Sequence, residues 1–241
     1  MLHKTRGIIF HTTDFSETSI VVKIYTELYG LQSYMVNSVR KKNAKFRPSV
    51  FQSLSLVEMV VYHKERSGLQ RISEIRQSPV LKSIPFDVLK SSMTLFLNEV
   101  LYKSIREEEA NPQLFDFLFH SIQWLDVHEP ANPDFHLLFL LQLSKYLGFY
   151  PTDNFSESNN IFNLQEGSFQ SISPAHPFFL SGALSKHFYA ILSHLPDFSV
   201  NLKIPANEKR ELIERMLEFY QLHISGFGNI KSHKVLEQIW S

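Results

Sequence analysis

The 241-residue sequence contains no cysteine. That excludes disulfides, thiol nucleophiles, iron–sulfur clusters and any zinc site built on thiolates. It is compatible with a reducing compartment without establishing one. No apolar run approaches the roughly 20 residues that a membrane-spanning helix needs, and no apolar signal segment follows Met1-Leu2-His3-Lys4-Thr5-Arg6. The expectation is a soluble, cytoplasmic chain. Walker loops, dinucleotide fingerprints, paired-histidine metal helices and Gly-x-Ser-x-Gly elbows are also missing. The eleven histidines are scattered; His120, His136 and His187 fall on expected helices, where a surface or hydrogen-bonded role outweighs ligation. Glu107-Glu108-Glu109 reads as an exposed acidic helix end. The expectation is therefore no metal, no cofactor and no catalytic residue.

What the chain does contain is unevenly distributed. Its 24 basic and 24 acidic residues sum to zero, yet residues 1–82 hold 13 basic against 6 acidic residues, a balance of +7. The remainder holds 11 basic and 18 acidic residues, a balance of −7. Such a split points to one half that meets a polyanion and another that does not.

The basic half reads as strands. Thr5–Phe10 is β-rich. In the run from Ile20 to Tyr25, Ile20, Val22 and Ile24 share one face, and Val21, Lys23 and Tyr25 the other. Tyr29-Gly30 supplies a turn, and 32–39, 54–63 and 69–76 follow as further strands. Five short strands with one long loop, residues 40–53, fit a small barrel, either an OB-fold or an SH3-like barrel. The long loop carries Arg40, Lys41, Lys42, Lys45 and Arg47 with no acid, next to Phe46. Cations that release counterions from phosphates, beside an aromatic able to stack on a base, are what a nucleic acid strand calls for.

The acidic half reads as helices. Asn111-Pro112 and Asn132-Pro133 each place a capping amide before a proline suited to the first helical position. A helix is expected over 85–105, with Val88, Leu89, Phe96, Val100 and Leu101 on its apolar face. The helix over 135–147 is apolar almost all round, so it should be the buried centre, ended by Gly148. Later helices are expected over 182–195, 208–223 and 233–240. A hairpin over 161–164 and 168–172 lies within the Ser-, Asn- and Pro-rich stretch 152–177.

Several of these runs resemble the bacterial DNA repair protein RecO family. They are Gly7-Ile8-Ile9, the run Asp14-Phe15-Ser16-Glu17-Thr18-Ser19 leading into Ile20–Tyr25, Thr26-Glu27-Leu28-Tyr29-Gly30, Val39-Arg40-Lys41-Lys42, the run Leu69–Glu74, and Leu140–Pro151, like the family's central helix and its Leu-Gly-Phe-x-Pro exit. The resemblance implies an α+β chain: an N-terminal five-stranded OB-fold barrel (1–80), then an all-helical C-terminal domain (81–241) with a small hairpin insertion over 152–180. It implies a recombination mediator, not an enzyme, that binds single- and double-stranded DNA, anneals complementary strands and helps load RecA onto DNA coated with the single-strand-binding protein SSB. The implied partners are RecR, the acidic C-terminal tail of SSB and, indirectly, RecA, at the bacterial nucleoid and away from membranes. The family's basic residues after the third strand map onto Arg40, Lys41 and Lys42. Charge and strand placement add Lys4, Arg6, Lys23, Lys45, Phe46, Arg47, Arg71 and Arg76. Many members carry a four-cysteine zinc site in the segment that is here Thr152–Leu180, and its absence implies no zinc in this chain. Two other classes compete: an adaptor that contacts only proteins, and a nucleic-acid hydrolase, against which the scarcity of clustered carboxylates in the basic half argues.

Overall fold

The computed structural model describes residues 2–39, 41, 44–64 and 67–239. Two compact units emerge, Met1–Val127 and His128–Ser241. The sequence boundary near residue 80 separates strands from helices; compactness draws its line 47 residues later, because the first two helices pack with the barrel.

In the first unit, β1 (Leu2–Asp14), β2 (Ile20–Thr26), β3 (Gly30–Val36), β4 (Leu56–Tyr62) and β5 (Gln70–Gln77) close a barrel in the order β1-β2-β3-β5-β4. All neighbours are antiparallel except β3 and β5, which run parallel through Tyr34↔Gln70 and Met35↔Arg71. That order and the parallel closure are those of an OB-fold and resolve the barrel type in its favour. The alternation read in β2 holds: Ile20, Val22 and Ile24 point inward with Tyr34, Val36, Val57, Met59 and Val61.

β1 is long because it serves two neighbours, β4 through residues 2–8 and β2 through residues 7–14, with a bulge between Ile9 and His11. Ile8, Ile9 and Phe10 are all fully buried. Ile9 joins the barrel interior. Phe10 lies under the helical layer, stacked on Tyr25 at 5.7 Å, while its carbonyl accepts from Asn98 Nδ2 at 3.0 Å. Asn98 belongs to α1 (Val88–Ser104), capped by Asp87, whose side chain accepts the Lys90 N–H at 2.9 Å. Contrary to the sequence reading, Val88 is exposed; Lys90 is fully buried. α2 (Pro112–Val127) starts as expected, with Asn111 Oδ1 accepting the Leu114 N–H at 3.0 Å. The acidic run 107–109 is not a helix end. It is an extended segment whose Glu107 carbonyl accepts the Leu31 N–H at 2.9 Å. Gly30 makes that approach possible: its φ is +60°, and a Cβ there would lie 2.7 Å from the Glu107 carbonyl oxygen.

The second unit is built around α3 (Phe135–Tyr146), whose residues 135–144 are all buried, as a helix apolar almost all round requires. Asn132 does not cap it; the helix starts after Asp134, and Asn132 Nδ2 instead donates to the Phe198 and Val200 carbonyls. Gly148, at φ +86°, ends the helix. α4 (Gly182–His194) and α5 (Ala206–His223) pack on α3, and the Tyr220 hydroxyl donates to the Leu140 carbonyl at 2.6 Å. α6 (His233–Gln238) follows; the expected helix end at Trp240 lies outside the described residues. The insertion holds the hairpin β6 (Ile161–Asn163) and β7 (Ser168–Gln170), joined by β8 (Phe179–Leu180), which the sequence reading missed. Two residues carry too little periodicity to announce a strand.

Candidate nucleic-acid interface

Residues 45–49 of the loop between β3 and β4 lie along β5. Lys45 Nζ donates to the Ser73 carbonyl at 2.7 Å, and Gln77 Nε2 donates to the Ser49 carbonyl at 3.1 Å. A short 3-10 helix, Pro48–Phe51, drops Phe51 into the barrel core, and Thr12 Oγ1 donates to its carbonyl at 3.1 Å. These anchors hold Lys45 and Arg47 beside the outer surface of β5, which itself presents Arg71 and Arg76.

The sequence-derived residues separate into groups. Lys41, Lys45, Arg47 and Arg71 are exposed, and among the described residues no acid pairs with them. Arg40 and Lys42 lie outside the described residues. Arg71 borders a groove shared with Tyr62, Lys64 and Gln70. Gln70 fixes that rim: its amide donates to the Lys64 and Ser67 carbonyls at 2.9 and 2.7 Å, and its carbonyl accepts the Lys64 N–H at 3.0 Å. Lys64 thereby joins the basic rim, a position that only the strand register reveals. Lys4 and Arg76 are exposed but share Glu58, at 3.8 and 2.7 Å. The hydrogen bond from Arg76, then that from Ser78, hold the Glu58 carboxyl below its ordinary value. Three charged groups there sum to +1. Lys23 is half-buried on the outer face of β2, whose next outward residue, Tyr25, is covered by Phe115 of α2 at 6.1 Å. Phe46, expected to be an exposed stacking ring, is half-buried against the barrel core and edge-on to Phe51 at 6.5 Å.

Arg6 differs most from expectation. Its guanidinium donates to both Glu27 carboxylate oxygens at 2.9 and 2.7 Å and to Asp116 at 3.0 Å, and it lies over the Phe115 and Phe119 rings at 5.1 and 4.9 Å. The hydrogen bond from Arg6 draws the Glu27 carboxyl below its ordinary value. With two acids around one cation, little positive potential reaches solvent. Arg6→Ala is expected to lower stability by about 2 kcal/mol through lost stacking and charge-assisted bonds, and to leave DNA affinity unchanged. Denaturant melts and anisotropy titrations measure the two effects separately.

A family model described as "Recombination protein O N terminal" matches residues 1–78, and one described as "Recombination protein O C terminal" matches residues 85–233. The chain belongs to the RecO family. Curated proteins named "DNA repair protein RecO" match it end to end. Those of Phocaeicola vulgatus and Bacteroides fragilis are 33% and 35% identical, each over 100% of both chains. That of Flavobacterium johnsoniae is 37% identical over 99% of both. The OB-fold barrel lies within the N-terminal match, and α1 to α5 lie within the C-terminal one.

The four-cysteine zinc site of the resemblance does not fit this RecO-family chain, because segment 152–180 offers no thiolate. Aromatic packing occupies the segment instead. Phe155 stacks on Tyr189 at 4.3 Å, Phe162 meets Phe188 at 4.2 Å and Phe169 at 4.9 Å, and Phe219 of α5 closes the group at 5.8 Å from Phe162. One set of side chains was not visible in the sequence. Glu214, His233 and Glu237 bring three ligand-type atoms within 4.8 Å of one another, because residues 233 and 237 share a face of α6 opposite α5. No helix among the described residues is long and apolar enough to cross a membrane.

Proposed function

We propose that this chain is a DNA-binding recombination mediator that acts without catalysis. In this reading the OB-fold barrel, residues 1–80, is the DNA-binding part and residues 81–241 form the helical part. The single observation that carries the reading is the set of exposed cations on the long loop and β5, Lys41, Lys45, Arg47 and Arg71, held on an OB-fold with no acid paired to them among the described residues. Lys64 extends the set, and Arg40 and Lys42 belong to it on the family resemblance. Lys4, Lys23 and Arg76 contribute less, through partial neutralisation or burial. Both single- and double-stranded DNA satisfy a surface that reads phosphates.

Annealing follows from electrostatics. Two strands repel through their phosphates, and a cationic surface that holds one strand with most of its bases outward lowers that repulsion, so that a complement can pair. The helical part takes the protein contacts: RecR, the acidic SSB tail and, through them, RecA. The work is done in the cytoplasm at the nucleoid.

The test is strand annealing on SSB-coated DNA with the full chain, with and without RecR. Removing α1 and α2 would uncover Phe10 and Tyr25, so a fragment ending at residue 80 is unsuitable. The expected result is that the chain speeds pairing of coated complementary strands and that RecR changes that rate. An adaptor that contacts only proteins would leave naked-strand annealing at the spontaneous rate.

A further inference from the structure

We propose that Phe15, at the tip of the β1–β2 hairpin, is the ring on which an unpaired DNA base stacks; this rests on the DNA-binding reading above. Phe46 is less free for that role, being half-buried against the barrel core with Lys45 Nζ over its ring at 5.3 Å. Phe15 is 64% exposed and makes no ring contact among the described residues. Exposure alone is shared with other apolar residues, Phe86 and Ile172 among them; what singles out Phe15 is its place at the tip of the β1–β2 hairpin.

The tip is held in place. The Phe15 and Ser16 N–H groups both donate to the Ser19 carbonyl, at 3.0 and 3.2 Å, and the Ser19 N–H donates to Ser16 Oγ at 3.2 Å. The register places it: Asp14 pairs with Ile20, and Ile20 pairs with Val36 at the end of β3. The hairpin tip and the start of the basic loop therefore leave the barrel at the same rim. Loops at this position take part in oligonucleotide binding on OB-folds.

The chemistry favours a base over a phosphate. Phe15 offers no charge to a phosphodiester, whereas a base presents a neutral π-face to its ring. A strand whose phosphates follow the basic loop can turn one base onto the tip. Bases in a duplex are already stacked, so Phe15 distinguishes single strands from double.

Phe15→Ala is expected to lower single-strand affinity about tenfold, leaving both duplex affinity and the salt slope unchanged because no charge is lost. Phe15→Leu should behave like the alanine variant, since it keeps apolar area but no ring. Phe15→Trp should retain affinity and show fluorescence quenching by single strands beyond that of the wild type. Equal single-strand affinity for wild type and Phe15→Ala would overturn the stacking role while leaving salt-dependent binding intact. So would an equal loss on duplex, or quenching of the tryptophan variant no greater than wild type. Failure of the wild type to bind DNA at all would instead overturn the reading beneath it.

Discussion

Replacing Lys45, Arg47 and Arg71 together with glutamate should weaken single-strand binding on the order of a hundredfold at 0.1 M salt. On a single strand each neutralised phosphate adds about 0.7 to the salt exponent, which is a factor of about five per contact at ~0.1 M relative to ~1 M. Three contacts multiply to about a hundredfold and flatten the log–log salt slope by about 2. The added carboxylates repel phosphate and deepen the loss. All three residues are exposed, and only Lys45 makes a described side-chain hydrogen bond, to the Ser73 carbonyl, so the fold should survive; circular dichroism checks this. The companion variant with Arg40, Lys41 and Lys42 reversed to glutamate should flatten the slope in the same way. An unchanged anisotropy titration of either triple variant would remove those three residues from the interface.

Asp126→Ala should have the largest effect on stability, lowering the unfolding free energy by about 3–5 kcal/mol. Asp126 sits near the C-terminal end of α2, where the helix dipole disfavours an anion. It is kept there by donors. The backbone N–H groups of Lys82, Ser83 and Ile84 all donate to its carboxylate at 2.8 to 2.9 Å, tying down the chain between the barrel and α1. Lys90, fully buried, donates to the Asp126 carbonyl at 3.1 Å and to Ser83 Oγ at 2.7 Å. Alanine would leave those N–H groups without an acceptor and remove a negative charge near the Lys90 ammonium. Asparagine, keeping one oxygen, should recover part of the loss. Burial pushes the Asp126 carboxyl up, but the Ile84, Lys82 and Ser83 N–H groups and the Lys90 charge outweigh it, so the net shift is downward. A carboxyl lowered by folding contributes stability that is present above its unfolded value and is lost as pH falls through its folded one. Wild-type stability should therefore fall in the acid range, and the Asp126→Asn variant should lose part of that dependence.

The barrel was legible because each strand buries one face. The alternation of Ile20, Val22 and Ile24 survives in the core, and Gly30 marks the tight turn that a close backbone approach demands. The central helix was legible because ten consecutive buried residues leave no polar stripe. Local pattern stops at pairings distant in sequence. Arg6 reads as a free cation until Glu27 and Asp116 meet it from 21 and 110 residues away. Asp126 looks like any helix acid until the segment 82–84 folds onto it. Phe46 and Phe15 are both aromatics near charge in the sequence. Only the 3-10 helix that carries Phe51 inward, with Phe46 packed against it, decides which ring faces solvent. The aromatic packing of the cysteine-free insertion depends likewise on Phe188, Tyr189 and Phe219, contributed by α4 and α5.

The most direct measurement is the salt dependence of single-strand binding by the full wild-type chain, followed by fluorescence anisotropy across a range of monovalent salt. Four to five phosphates held by the loop and β5 cations should give a log–log slope of about −3. Absence of binding, or binding indifferent to salt, would contradict a cationic DNA interface on this barrel.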